Sequence, residues 1–166
     1  LSRIEWNSNN ASFNRDEIYK EFQKIADEVN GKFNVNYSDE IPNVAIFVSK
    51  QNHCLIDLLW RVRNGELKMK VPLIISNHSD LEKIADDFNA EFVHIDTFKI
   101  DKSIVEDQFL NLLKEYEIDL VVLAKYMQIL SDSFLKKFSS IINIHHSFLP
   151  AFKGGQPYHR AWKRGV

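Results

Sequence analysis

Asn143 and His145 sit two positions apart in the stretch NIHHSFLP, residues 143 to 150, where an apolar run beginning at Ile141 gives way to polar residues. If that run is a strand, successive side chains alternate and Asn143 and His145 project from the same face. An amide donor and an imidazole then share one site. Asn can stabilise a developing oxyanion, and His, with an ordinary pKa of about 6.5, can move a proton near neutral pH. That pairing suits attack on an acyl carbon. The same two residues would also serve, more plainly, to satisfy backbone groups of a loop leaving a strand end. The adjacent His145 and His146 do not suggest a metal: neighbouring strand residues face opposite ways, and neither a His-x-x-x-His spacing nor a carboxylate partner accompanies them. No metal site is expected.

The elements that position such a pair are legible in the chain. With 166 residues, 45% of them hydrophobic and 27% charged, it can bury one good core and a small appendage. A formal charge of -2 with both signs interspersed supplies no basic stripe, so nucleic acid is not an expected partner. Neither a membrane segment nor a signal peptide is expected, since no apolar run approaches about 18 residues, and a cytoplasmic location follows as the default. Cys54 stands alone beside Leu55 and Ile56, which excludes an internal disulfide and reads as a small core residue.

The polar stretch from Ser38 to Pro42 divides the chain. Before it, Ser2 to Trp6 alternates as a short strand, and Ile18, Phe22, Ile25 and Val29 follow helical spacing. Asn14 with Glu17 forms a capping box at the helix start, Gly31 marks its end, and Phe33 to Tyr37 alternates again. This unit is too small to hold a core alone. After Pro42, strands are expected at about 43–48, 71–75, 92–95, 120–123 and 141–144, with helices at about 54–63, 81–88, 104–116, 132–138 and 158–164. Val105, Phe109, Leu112 and Tyr116 mark one buried stripe, and Phe134, Leu135 and Phe138 a shorter one. Apolar strands alternating with helices predict an open, doubly wound, mostly parallel Rossmann-like sheet. Ligands of such sheets lie outside the carboxyl ends of the strands, where Asn143 and His145 fall.

The first strand-to-helix turn, VSKQNHCL from Val48 to Leu55, has no Gly, which disfavours a dinucleotide. Ser49, Lys50, Gln51 and Asn52 could instead hold a smaller anion, or could be an ordinary helix cap with a solvated Lys. His53, His78, His94 and His159 are each expected at the surface or in a hydrogen bond, and Gly154 with Gly155 supplies a turn after Pro150.

Four ordered blocks, VSKQNHCLIDLLWR (48–61), PLIISNH (72–78), DLVVLAKYMQILS (119–131) and INIHHSFLPAFKGGQPYHRAW (142–162), resemble the formyltetrahydrofolate deformylases of the formyltransferase superfamily. The resemblance covers about Pro42 to Val166. It implies domains of 39–166, formyltransferase-like and truncated at its carboxyl-terminal side, and 1–38, a partial α+β segment similar to half of an ACT-type regulatory domain. It also implies hydrolysis of 10-formyltetrahydrofolate to formate and tetrahydrofolate, with Asn143 and His145 catalytic. Leu123, Tyr126, Met127, Gln128, Ile129 and Leu130 would line the pterin pocket. The folate is substrate, and no separate cofactor is implied. A superfamily Asp that orients the His is expected beyond the point where this chain stops, and both chain ends read as cut. An ACT-type segment further implies a homo-oligomer and an amino-acid effector. Two alternatives stay open: formyl transfer to an amine, as in glycinamide ribonucleotide formyltransferase, and a folate-binding protein without catalysis.

Overall fold

The protein is represented by a computed structural model that describes residues 3–7, 13–144 and 157–165. The chain divides into two compact units, 1–40 and 41–166.

The described part of the first unit is organised by one helix, α1 (Arg15–Glu28). The capping box is complete: the Asn14 side chain accepts from the Glu17 amide at 2.9 Å, and the Glu17 carboxylate accepts from the Asn14 amide at 2.9 Å. At the other end the left-handed residue is Asn30, with φ 50°, rather than Gly31. The Gly31 amide then reaches back to the Ala26 carbonyl at 2.8 Å. Asn tolerates this conformation almost as readily as Gly does, which moves the helix stop one residue earlier than expected. No strand forms among the described residues of this unit. Phe33, Val35 and Tyr37 are each half-buried between exposed neighbours, so the alternation expected of a strand is present without a ladder. An extended segment becomes a strand only when a partner takes its backbone hydrogen bonds. Instead its apolar residues meet α1, with Phe33 stacking on Phe22 and tilting against Tyr19 at centroid distances of 5.9 and 5.0 Å.

The second unit alternates strand and helix throughout: β1 (Asn43–Val48), α2 (His53–Arg63), β2 (Lys70–Ser76), α3 (Glu82–Asp87), β3 (Glu91–His94), α4 (Lys102–Glu115), β4 (Leu120–Ala124), α5 (Asp132–Lys137), β5 (Ile141–Ile144) and α6 (Pro157–Arg164). The five strands form one parallel sheet in the order β3-β2-β1-β4-β5. β1 is therefore central, with its burial unbroken from Val44 to Val48. The two faces of the sheet bury separate cores, as period-two alternation requires. Ala45, Phe47, Leu73 and Ile75 pack under α4 and α5 with Val105, Phe109 and Phe134. Ile46, Val48 and Ile74 face α2 and α3 with Leu55, Leu59, Leu81 and Ala85, and Cys54 packs at this cluster's edge. Of the short stripe expected on α5, Phe134 is buried and Leu135 is exposed. The helix is too short to bury more than one face against the sheet.

Candidate functional site

In the order β3-β2-β1-β4-β5, the chain winds outward from β1 to β3 and then crosses back to β4. The reversal falls between β1 and β4, so the crevice that such sheets use for ligands opens outside the carboxyl ends of these two strands. Three strand ends meet there. Ser49 follows β1 and is only 4% exposed, and Asn77, also 4% exposed, follows β2. The Ser49 hydroxyl donates to Asn77 Oδ1 at 2.7 Å and accepts from the Met127 amide, beyond β4, at 3.0 Å. A second tie joins the same two turns, where Lys125 Nζ donates to Gln51 Oε1 at 2.7 Å. Ser49 and Gln51, proposed above as anion contacts or caps, are thus engaged by other parts of the chain. Asn52 precedes α2 without a side-chain cap bond.

Lys125 lies in the left-handed region at φ 57°. Asn89 and Glu117 share that conformation just after α3 and α4, a common way to end a helix. Lys125 instead follows a strand, and a side chain there costs roughly 1–2 kcal/mol. The turn redirects the segment after β4. Tyr126 becomes buried, 7% exposed, with ring centroids 5.5 Å from Phe47 and 6.4 Å from Phe109 in edge-to-face contacts. Burial, with the nearby Glu106 carboxylate, pushes its phenol well above the ordinary tyrosine range. Met127 and Ile129 are exposed, at 58% and 85%, while Gln128 and Leu130 are half-buried. Leu130 and Leu123 both pack against the α4-side core. The far end of the loop is tied as firmly as the near end: the buried Glu106 carboxylate of α4 accepts from the Ser131 amide at 2.7 Å and from the Ser131 hydroxyl. Ser131 in turn caps α5 by accepting from the Phe134 amide at 3.1 Å.

Asn143 is exposed on β5, in register with Leu123 of β4, and shares the sheet face of Ile141. It therefore stands one strand away from the crevice, beside the last residues of β4. His145, His146, Gly154 and Gly155, the last two expected to form a turn, lie outside the described residues. Among the described residues, no group of three or more His, Cys, Asp or Glu side chains could hold a metal ion, and no helix is long and apolar enough to cross a membrane. Two open grooves of about 400 and 390 Å³ border α4 and α5, away from Asn143 and the Ser49 junction.

The Ser49–Asn77, Lys125–Gln51 and Glu106–Ser131 ties were not foreseen from the sequence. The first pairs residues 28 positions apart and leaves no local pattern. Glu106 did carry a signal, because a carboxylate beside Val105 on the buried side of α4 must find donors.

Known proteins resemble this chain in sequence and in fold. Residues 42–166 match the Formyl transferase family. A formyltetrahydrofolate deformylase of Synechocystis sp. is 51% identical over all 166 residues, and one of Bacillus subtilis is 38% identical over 165. The chain spans a little more than half the length of these relatives, 58% and 55% respectively. The crystal structure of a formyltetrahydrofolate deformylase from Pseudomonas syringae is similar over 93% of this chain and 52% of its own, with a TM-score of 0.86 and 36% identity. A glycinamide ribonucleotide transformylase from Geobacillus kaustophilus is similar over 76% of this chain and 70% of its own, at a TM-score of 0.71 and 26% identity. The family match from residue 42 to residue 166, over the unit that folds into the five-stranded parallel sheet, places the chain in the formyl transferase family.

Proposed function

We propose that the protein hydrolyses 10-formyltetrahydrofolate to formate and tetrahydrofolate. The observation that carries this is the 51% identity, running through both units, to a protein named formyltetrahydrofolate deformylase. The transformylase structure is similar over a smaller share of the chain and at lower identity. The proposed chemistry uses one exposed amide and one imidazole. Water oxygen bonds to the formyl carbon while the Asn143 side-chain amide donates to the carbonyl oxygen as it gains charge. Donors of this kind are worth about 2.7–4 kcal/mol in the transition state. As the carbon–nitrogen bond breaks, its electron pair goes to the folate nitrogen, which receives a proton relayed from the water by His145. Formate leaves, with release of the remaining proton.

The pterin is assigned to the crevice beside the loop 125–130. Leu123, Met127, Gln128, Ile129 and Leu130 supply side chains or main chain there, and Tyr126 contributes its main chain while its ring stays in the core. A flat heterocycle fits apolar surface edged by backbone donors and acceptors. The scheme needs no cofactor, the folate being the substrate. A homo-oligomer and an amino-acid effector acting through residues 1–38 extend the same proposal, on the ACT-type resemblance alone.

The test is formate release from 10-formyltetrahydrofolate by the intact protein, with and without glycinamide ribonucleotide and with and without a chelator. Formate should appear at the same rate in all four conditions. Formyl transfer to the amine would replace hydrolysis by the transferase assignment, and loss of activity on chelation, restored by added metal, would remove the metal-free scheme.

A further inference from the structure

The loop that would meet the pterin depends on a buried hydroxyl that touches no part of the proposed reaction. Ser49, on the turn after β1, has both of its hydrogen-bonding roles in use: its proton goes to Asn77 Oδ1 at 2.7 Å and its oxygen receives the Met127 amide at 3.0 Å. The donation to Asn77 fixes the hydroxyl rotor, which leaves a lone pair aimed at Met127. The loop needs that acceptor. After β4 the left-handed turn at Lys125 carries the chain out of the sheet ladder, so the Met127 amide has no strand partner and lies partly buried against the β1 turn. The Lys125–Gln51 bond ties the same two turns at the surface, but only the Ser49 bond reaches the loop's own main chain.

Resting on the folate assignment above, we propose that Ser49 is a positioning residue: its hydroxyl holds the Met127 amide so that the main chain of 126–130 is set in advance for the pterin edge. Pre-organisation of this kind acts on binding, because the loop no longer has to be ordered when the ligand arrives. It leaves the chemistry at the formyl carbon, next to Asn143, largely untouched. Removing the hydroxyl should therefore raise KM and spare kcat.

The experiment compares the intact wild-type protein with Ser49→Ala and with Ser76→Ala. Ser76 is a useful control because its hydroxyl is equally buried at the neighbouring strand end but receives the His78 amide, at 3.1 Å, rather than a group of the loop. The measurements are KM and kcat for 10-formyltetrahydrofolate, Kd for a non-hydrolysable folate analogue, and hydrogen exchange at the Met127 amide. Ser49→Ala should raise KM and Kd about 10-fold, change kcat less than about 3-fold, and speed Met127 exchange about 10-fold while β1 amides keep their protection. Ser76→Ala should leave Kd and Met127 exchange at wild-type values. Wild-type values for Ser49→Ala, or equal loss of affinity in both variants, would overturn the assignment. If the wild-type protein binds the analogue yet releases no formate, the hydrolase proposal falls and the Kd and exchange data still decide the role of Ser49. Failure of the wild-type protein to bind any folate analogue overturns both.

Discussion

Asn143 projects from an exposed position on β5, so replacing it removes a donor without opening a hole in a core. Under the proposed hydrolysis, Asn143→Ala should lower kcat about 100-fold or more, as loss of an oxyanion donor does, with Tm essentially unchanged. Under the same proposal, His145→Ala should do likewise through loss of proton transfer, whereas His146→Ala should cost much less. Steady-state kinetics beside a thermal melt checks all three, and equal losses at His145 and His146 would refute the facing argument. Tyr126 should behave in the opposite way. Wedged between Phe47 and Phe109, its ring makes Tyr126→Ala a core deletion worth about 3–5 kcal/mol, visible in chemical denaturation. Tyr126→Phe should keep the fold and alter only the alkaline limb of the stability curve. With its folded pKa raised, Tyr126 contributes stability that is complete below the ordinary tyrosine range and is lost as pH rises through the folded value, and the Phe variant should lack that loss.

At the scale of elements, the five sheet strands were legible because each carries a short apolar run, and their observed limits fall within about one residue of the expected ones, whereas the strands expected at Ser2 to Trp6 and Phe33 to Tyr37 do not form among the described residues. Helix α4 begins at Lys102, two residues before its first expected position, because the Asp101 side chain accepts from the Ser103 amide at 2.8 Å and starts the helix early. Donation from the Ser103 hydroxyl and amide also holds the Asp101 carboxyl below the usual carboxylate range. What the pattern hid was the joinery between elements. Ser49 and Asn77 each look like ordinary loop residues until the parallel register of β1 and β2 brings their turns together. Tyr126 reads as pocket lining next to Met127 until the left-handed turn at Lys125 swings it inward. The Glu106–Ser131 tie belongs to the same class, and its loss should be expensive. Glu106→Ala leaves the Ser131 amide and hydroxyl without their buried acceptor, for a loss of about 1.5–3 kcal/mol. Urea unfolding of the Ala variant checks this. A change smaller than about 0.5 kcal/mol would mean that water replaces the carboxylate.

For the whole molecule, the sheet order carries a consequence for how the chain folds. Val48 in the central strand pairs with Ser76 on one side and with Ala124 on the other. The second pairing closes a loop nearly three times longer than the first, which adds about 0.9 kcal/mol of chain entropy before any contact repays it. The β1-β2-β3 half should therefore assemble first on refolding, with β4 and β5 adding later. Pulse-labelled hydrogen exchange should find β1–β2 amides protected in an earlier phase than those shared by β1 and β4. Simultaneous protection of both would show a single cooperative step. The seam between the early and late halves is the β1–β4 crevice, and the hydrogen bond across it from Met127 to Ser49 can form only when the late half arrives. Any ligand that requires this crevice is thus blind to the half-folded chain, and its binding reports completed assembly.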